Sequence, residues 1–149
     1  DSQSKPDVGS SETERLIKRE NVAIICGAFN SAVTFPATVI AERYKTPWVV
    51  ISSVKDEITE RNFKYTFRPV NKAIYDAKEQ IGAIQQFTKE TGKGPKTMGL
   101  LYEGTDWGRS HNTNLKKFAK EIGIEIVLDE TYQSGAVGSR RFFFPDSED

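Results

Sequence analysis

Polar side chains and one aromatic side chain follow three apolar runs of the chain, and together they have the chemistry of a small-molecule site. Ser31 lies in segment 27–34, where a helical pattern begins, and it can offer a hydroxyl and a backbone N–H to an anion. Ser52 and Ser53 can offer hydroxyls and carbonyls to the polar end of a ligand. Trp107 can form a wall over a bound molecule.

Each of these residues also has a purely structural interpretation. Ser31 can be the N-cap of the helix and nothing more. Ser52 and Ser53 can bond the backbone of their own turn, and Trp107 can be a half-buried packing residue. The residue pattern by itself leaves both interpretations open.

Signatures of catalysis are poor. His111 is the only histidine and has no nucleophile or acid at a matching spacing, so we interpret it as a surface residue. Glu103 and Asp106 are typical of a charged helix start rather than of an acid–base pair. The chain has no Walker or GxGxxG phosphate loop, and Cys26, interpreted as a small buried hydrophobic residue, cannot complete a metal site with His111. The sequence predicts a protein that is not an enzyme, with no cofactor and no metal.

The order of apolar runs and helical patterns predicts how these segments are positioned. Strands are expected over residues 22–26, 48–51, 97–101 and 124–128, with an extended segment over residues 63–68. Helices are expected over residues 10–19, 33–44, 74–87 and 109–121, the first capped by Ser10 or Ser11. A stop signal that begins at Gly92 ends the third helix. This alternation predicts an α/β fold with doubly wound, mainly parallel sheets. Ligands bind beyond the carboxyl ends of such strands. Three polar segments are expected there, at residues 27–34, 52–56 and 102–108.

Composition and charge restrict the class of protein. The chain has 149 residues, of which 21 are basic and 21 acidic, so its formal charge is zero. A balanced charge argues against a nucleic-acid partner, and no run of about 18 apolar residues is present to span a membrane. Residues 1–6 are neither an initiator start nor a signal peptide, and we expect them to come from the interior of a longer chain.

Longer stretches of the sequence resemble the leucine/isoleucine/valine-binding family of type I periplasmic binding proteins, the receptors of ABC importers. These stretches are DSQSKPD, RLIKRENVAIICGAFNSAVTFPATVIAERYKTPWVVISS, DEITERNFKYTFR, MGLLYEGTDWG and GIEIVLDETYQSGAV. Their order and spacing agree with the family over residues 1–138. The tail GSRRFFFPDSED does not resemble the family, and the family's first strand and helix and the rest of its second lobe have no counterpart.

The resemblance implies two doubly wound lobes that close on an amino acid, branched-chain or related, or on a similar small carboxylate. Residues 1–66 would belong to the first lobe and residues 67–149 to the second, with a hinge crossing at residues 64–70. The implied partners are this ligand and the membrane subunits of an ABC importer, in a periplasmic or extracellular, membrane-associated location. A dimer or further chain segments would complete the fold. The alternative function is a ligand-sensing domain of a regulator or receptor with the same fold.

The resemblance also assigns roles to single residues. Ser31 would hold the ligand carboxylate at the start of a helix, and the backbone carbonyl of Ser52 would accept the ammonium group. Val54 stands where the amino-acid binders carry a threonine, so it lacks the expected hydroxyl, and Trp107 would cover the ligand from the second lobe. The predicted ligand-binding set is Ser31, Ala32, Ser52, Ser53, Val54 and Trp107.

Overall fold

The computed structural model of the chain describes residues 1–133 and residue 135. In chain order its elements are α1 (Pro6–Lys18), β1 (Ile25–Cys26), α2 (Ser31–Arg43), β2 (Trp48–Val49), a 3₁₀ helix (Asp56–Thr59), β3 (Thr66–Phe67), α3 (Ala73–Thr91), β4 (Thr97–Glu103), α4 (Asp106–Glu121) and β5 (Glu125–Tyr132). The sequence-based expectations for the tail GSRRFFFPDSED lie outside the described residues.

Two parallel sheets organise these elements. The first sheet has the strand order β1-β2-β3, and the second pairs β4 with β5. Each parallel pair is joined through a helix or a longer crossover, as parallel pairing requires. The predicted α/β class with mainly parallel sheets is confirmed.

The first sheet packs against α2 through a core in which small and large side chains alternate. Ala37 and Ala41 of α2 are fully buried and let the helix approach the sheet closely. The sheet side and the 3₁₀ helix contribute Ile25, Trp48, Val50 and Ile58. This core fixes the distance between the start of α2 and the end of β2, where the candidate site residues lie.

The extended segment predicted over residues 63–68 contributes β3 to the first sheet. The Glu42 carboxylate at the end of α2 accepts hydrogen bonds from the backbone N–H groups of Lys64 (2.8 Å) and Tyr65 (2.9 Å). These bonds place β3 parallel to β2, with Trp48 opposite Thr66. Strand β3 spans the predicted boundary between residues 66 and 67, and the division into lobes stays a prediction.

The second sheet is covered on one side by α3 and α4. The buried residues of its core are Ile81, Ala119 and Ile124. Helix α3 ends at Gly92, whose φ of 67° is a left-handed conformation that glycine adopts without strain. The predicted stop at Gly92 is therefore confirmed.

The predictions for the start of α1 and for Cys26 are wrong. Helix α1 begins at Pro6 rather than at Ser10 or Ser11, because proline fits the first turn of a helix, where its missing N–H costs nothing. The Ser10 and Ser11 hydroxyls instead donate back to the carbonyls of Pro6 and Val8. Cys26 is exposed rather than buried, because in β1 it is the neighbouring Ile25 that faces the core.

No helix within residues 1–133 is both long enough and apolar enough to cross a membrane.

Candidate functional site

The first turn of α2 carries two backbone N–H groups without a capping partner. The N-cap is Asn30, so the interpretation of Ser31 as the N-cap is wrong. The Asn30 side chain does not cap the helix and donates instead to the hydroxyl of Ser4 (2.7 Å). Within the described part of the chain, the N–H groups of Ser31 and Ala32 donate no hydrogen bond. The positive end of α2 is therefore available to an anion.

Ser31 also contacts the segment that follows β2. Its side chain is buried, and its Oγ accepts a hydrogen bond from the backbone N–H of Lys55 at 3.3 Å. Ser31 thus lies between the start of α2 and the end of β2, at the carboxyl edge of the first sheet. This is the position that the sequence predicted for it.

Ser53 uses its hydroxyl within the fold. The side chain is buried, and its Oγ lies 2.9 Å from the Ala28 carbonyl and 3.1 Å from the Phe29 carbonyl. It also lies 2.6 Å from Oγ1 of Thr34, a residue that sequence reasoning left without a role. Ser53 therefore shapes the loop between β1 and α2, and bonds this neighbouring loop rather than its own turn.

Ser52 and Val54 flank Ser53 and are half-buried. The Val54 carbonyl accepts hydrogen bonds from the Ala73 N–H (2.8 Å) and from Nη1 of Arg68 (3.3 Å). Val54 thereby connects the end of the first sheet to the start of α3. Its apolar side chain offers no hydrogen bond to a ligand.

The start of α4 carries the predicted aromatic wall. Thr105 is the N-cap, and its side chain accepts a hydrogen bond from the Gly108 N–H (3.5 Å). Trp107 is 46% exposed and stacks on His111, one turn further along, with ring centroids 6.1 Å apart and planes 4° from parallel. His111 is half-buried rather than a surface residue, because it packs on Trp107 and lies 3.3 Å from the Gln80 side chain.

His111 makes stability depend on pH. Burial lowers its pKa, although Asp76 and Asp56 act in the opposite direction, so the folded state favours the neutral ring. An unfolded histidine titrates near pH 6.5, so this contribution is fully present above about pH 6.5 and is lost as the pH falls below it. We expect His111→Gln to lose less stability than the unmodified protein between about pH 7.5 and 5.5 in urea unfolding. Equal losses in the two proteins would contradict this assignment.

Charged residues join the segment that follows β2 to the start of α4. Nζ of Lys55 lies 2.7 Å from Oδ2 of Asp106, the first residue of α4. The next residue, Asp56, accepts from the Asn114 side chain and donates its N–H to Oγ of Ser110 (3.3 Å). Sequence reasoning placed Lys55 and Asp56 in a polar segment at this edge of the sheet but gave neither residue a role in the site.

A cavity of about 430 Å³ lies where these groups meet. Its lining residues include Lys55, Glu57, Asp106, Arg109 and Thr113. Ser31 and Trp107 do not line it. Ser31 is therefore connected to the start of α4 through Lys55 and Asp106, and among the described residues no hydrogen bond joins Ser31 directly to Trp107.

Comparison with known proteins decides the family. A family model described as periplasmic binding protein matches residues 1–139. The chain belongs to the periplasmic binding protein family. Leu/Ile/Val-binding protein homolog 8 of Brucella abortus (strain 2308) is 33% identical over 129 residues, 85% of this chain and 32% of the relative. Homolog 7 of Brucella suis biovar 1 (strain 1330) is 32% identical over 130 residues, with the same coverage of 85% and 32%. This periplasmic binding protein chain spans about a third of the length of these curated relatives.

Solved structures show the same fold. A periplasmic binding protein from Burkholderia mallei superimposes with a TM-score of 0.82 at 22% identity, covering 93% of this chain and 36% of the neighbour. The branched-chain amino acid transporter substrate-binding protein LivJ from Streptococcus pneumoniae, in complex with isoleucine, gives 0.81 at 20% identity, covering 95% and 38%. A solute-binding protein of an ABC transporter from R. palustris, in complex with 4-hydroxybenzoate, gives 0.75 at 20% identity, covering 89% and 34%.

Proposed function

We propose that this chain is part of an extracytoplasmic solute-binding protein of an ABC transporter, and that it binds the carboxylate of an amino acid or a similar small acid. The site is non-catalytic: contacts from both lobes favour a closed state, and the membrane subunits of the importer recognise that state. A periplasmic or extracellular, membrane-associated location follows from this role. The curated relatives named as Leu/Ile/Val-binding and the neighbours bound to isoleucine or 4-hydroxybenzoate support this ligand class.

The uncapped first turn of α2 is the observation that carries the proposal. The N–H groups of Ser31 and Ala32 have no partner among the described residues, and their helix end favours negative charge. A ligand carboxylate would satisfy both groups and would reach the Ser31 hydroxyl from the same direction. The half-exposed ring of Trp107 at the start of α4 would shield that carboxylate from water.

Three further predicted residues take supporting roles in this proposal. The backbone of Ser52 would accept the ligand ammonium group, while Ser53 would shape the loop that leads into α2. Val54 would leave an apolar surface where a threonine would offer a hydroxyl. An amino acid could lie against that apolar surface, and so could a ligand without an ammonium group, such as an aromatic acid.

The direct test is a calorimetric titration of the full-length protein with leucine, isoleucine and 4-hydroxybenzoate. We expect at least one of these carboxylates to bind and to raise the melting temperature by mass action. The matched amides or alcohols, which lack the negative charge, should bind much more weakly. Equal binding of acid and amide, or no response to any acid in the panel, would refute the proposal.

Ser31→Ala tests the residue at the centre of the site. We expect it to weaken binding of the acid by about 1–3 kcal/mol, the cost typical of losing a hydrogen bond to a charged group. Calorimetry measures the change. Ser10→Ala removes a hydroxyl of the same kind from the first helix, far along the chain from the site, and should leave the affinity unchanged. An unchanged affinity in Ser31→Ala would remove Ser31 from the site.

A further inference from the structure

Lys55 connects the two sides of the proposed ligand site, and we propose that it is the residue that positions them against each other. One side is the start of α2 with Ser31, and the other is the start of α4 with Trp107. This role rests on the proposed function, because the spacing of the two sides matters to a ligand that binds between them. Lys55 would act through its neighbours and would not itself need to touch the ligand.

The backbone of Lys55 is fixed to the first sheet. Its N–H donates to Oγ of Ser31 at 3.3 Å, and its carbonyl accepts from Nη2 of Arg68 at 2.7 Å. The Arg68 guanidinium also bonds the Val54 carbonyl, so two successive peptide groups are bound to one side chain that follows β3. The position of the Lys55 backbone is therefore set by α2 and β3 together.

The side chain of Lys55 extends from this fixed point to the second sheet's side of the molecule. It is only 16% exposed, and Nζ lies 4.1 Å from the ring centroid of Phe35 and 2.7 Å from Oδ2 of Asp106. A largely buried ammonium group needs such partners, because losing water without compensation is unfavourable. Both partners favour one orientation of the side chain, so Lys55 bonds Ser31 through its backbone and Asp106 through its side chain.

Asp106 passes this constraint to Trp107. It is the first residue of α4, where its negative charge also suits the helix end, and Trp107 is the next residue. The neighbouring contacts of Asp56 hold α4 one turn and two turns further along, through Ser110 and Asn114. Loss of the Lys55 ammonium group would thus release the first turn of α4, which carries Trp107, and leave the middle of the helix held.

Fluorescence quenching of the full-length protein tests this role without a ligand. Within this chain Trp107 is 46% exposed and Trp48 is 3% exposed, so of the two only Trp107 is accessible to acrylamide. In a background where Trp107 is the only accessible tryptophan, Lys55→Met should raise the quenching constant. Lys55→Arg keeps the charge and should restore a value near that of the unmodified protein. Lys116 lies further along α4 and forms a 2.7 Å ion pair with Asp129 of β5, so Lys116→Met breaks a different ion pair and should leave quenching unchanged.

A double-mutant cycle gives the second readout. We expect Lys55→Met and Asp106→Asn to be non-additive in urea unfolding, with a coupling equivalent to about a two- to fivefold change in the unfolding equilibrium constant. Additive effects together with unchanged quenching in Lys55→Met would overturn the proposal. If far-UV circular dichroism shows that Lys55→Met does not fold, Asp106→Asn replaces it, because it breaks the same ion pair at the more exposed partner. A raised quenching constant in Asp106→Asn would then support the proposal, and an unchanged one would overturn it.

The test of Lys55 can succeed or fail independently of the test of the proposed function. Absence of binding in the acid titration would refute the ligand class and leave the coupling and the quenching as they are. Binding of an acid, with no coupling between Lys55 and Asp106 and unchanged quenching in Lys55→Met, would support the proposed function and refute the positioning role of Lys55.

Discussion

Gly108→Ala is expected to destabilise the protein by about 1–3 kcal/mol and to displace the first turn of α4. Gly108 is buried, and a Cβ at this position would overlap the backbone carbonyl oxygen of Glu103 at the end of β4. The obstacle is backbone that is itself paired in the second sheet, so it cannot rotate away as a flexible side chain can. The helix must move instead, and with it Asp106 and Trp107. Urea unfolding measures the loss of stability.

Gly82→Ala is the matched control for this substitution. Gly82 lies inside α3, and a Cβ there has no heavy atom within 4 Å. Alanine at that position should stabilise the protein by roughly 0.5–1 kcal/mol, because glycine loses more backbone freedom in a helix. The two Gly→Ala changes should therefore have opposite signs. A Gly108→Ala protein as stable as the unmodified one would show that the start of α4 does not press against β4.

The architecture could be predicted because it depends on local patterns of apolar and polar residues along the sequence. Apolar runs of strand length alternate with segments of helical periodicity, and Gly92 ends α3. Such patterns determine the class of fold without any knowledge of distant contacts. The start of α1 was predicted wrongly for a local reason: Pro6 competes with Ser10 and Ser11 as a helix start, and the proline position prevails.

The candidate site could be predicted only in part, because some of its contacts join residues far apart in the chain. Ser31 was placed at a helix start from its neighbours alone. The role of Ser53 depends on carbonyl groups 24 and 25 residues away, and the Lys55–Asp106 pair spans 51 residues. No periodicity reports such pairings. They become visible only when the two segments are packed together.

The 3₁₀ helix shows how core packing and the site are joined. It begins at Asp56, which contacts α4, and it contains Ile58, which is fully buried in the core of the first sheet. Arg61 closes the segment: its guanidinium donates to the carbonyls of Phe35 (2.9 Å) and Ile58 (3.3 Å) and stacks between the rings of Phe35 and Phe63. Burial lowers the pKa of Arg61, so this position is electrostatically unfavourable and is maintained by these contacts. The 3₁₀ helix is thus held in place by the core through Ile58 and by the contacts of Arg61.

Ile58→Ala is accordingly expected to cost about 2–5 kcal/mol, the range for removing a large buried aliphatic side chain whose cavity cannot fully collapse. Ile58 packs with Ala37, Ala41 and Trp48, which belong to regular elements and cannot all move to fill the space. Urea unfolding followed by far-UV circular dichroism measures the loss.

Ile51→Ala provides the comparison for Ile58→Ala, since it deletes the same atoms a few residues earlier in the chain. Ile51 is 53% exposed, and we expect its truncation to change stability by no more than about 0.5 kcal/mol. A similar cost for both substitutions would mean that the 3₁₀ helix is not anchored by Ile58. The contacts from Lys55 and Asp56 to α4 would then need another source of rigidity, because a segment without a core anchor cannot hold two sheets at a fixed separation.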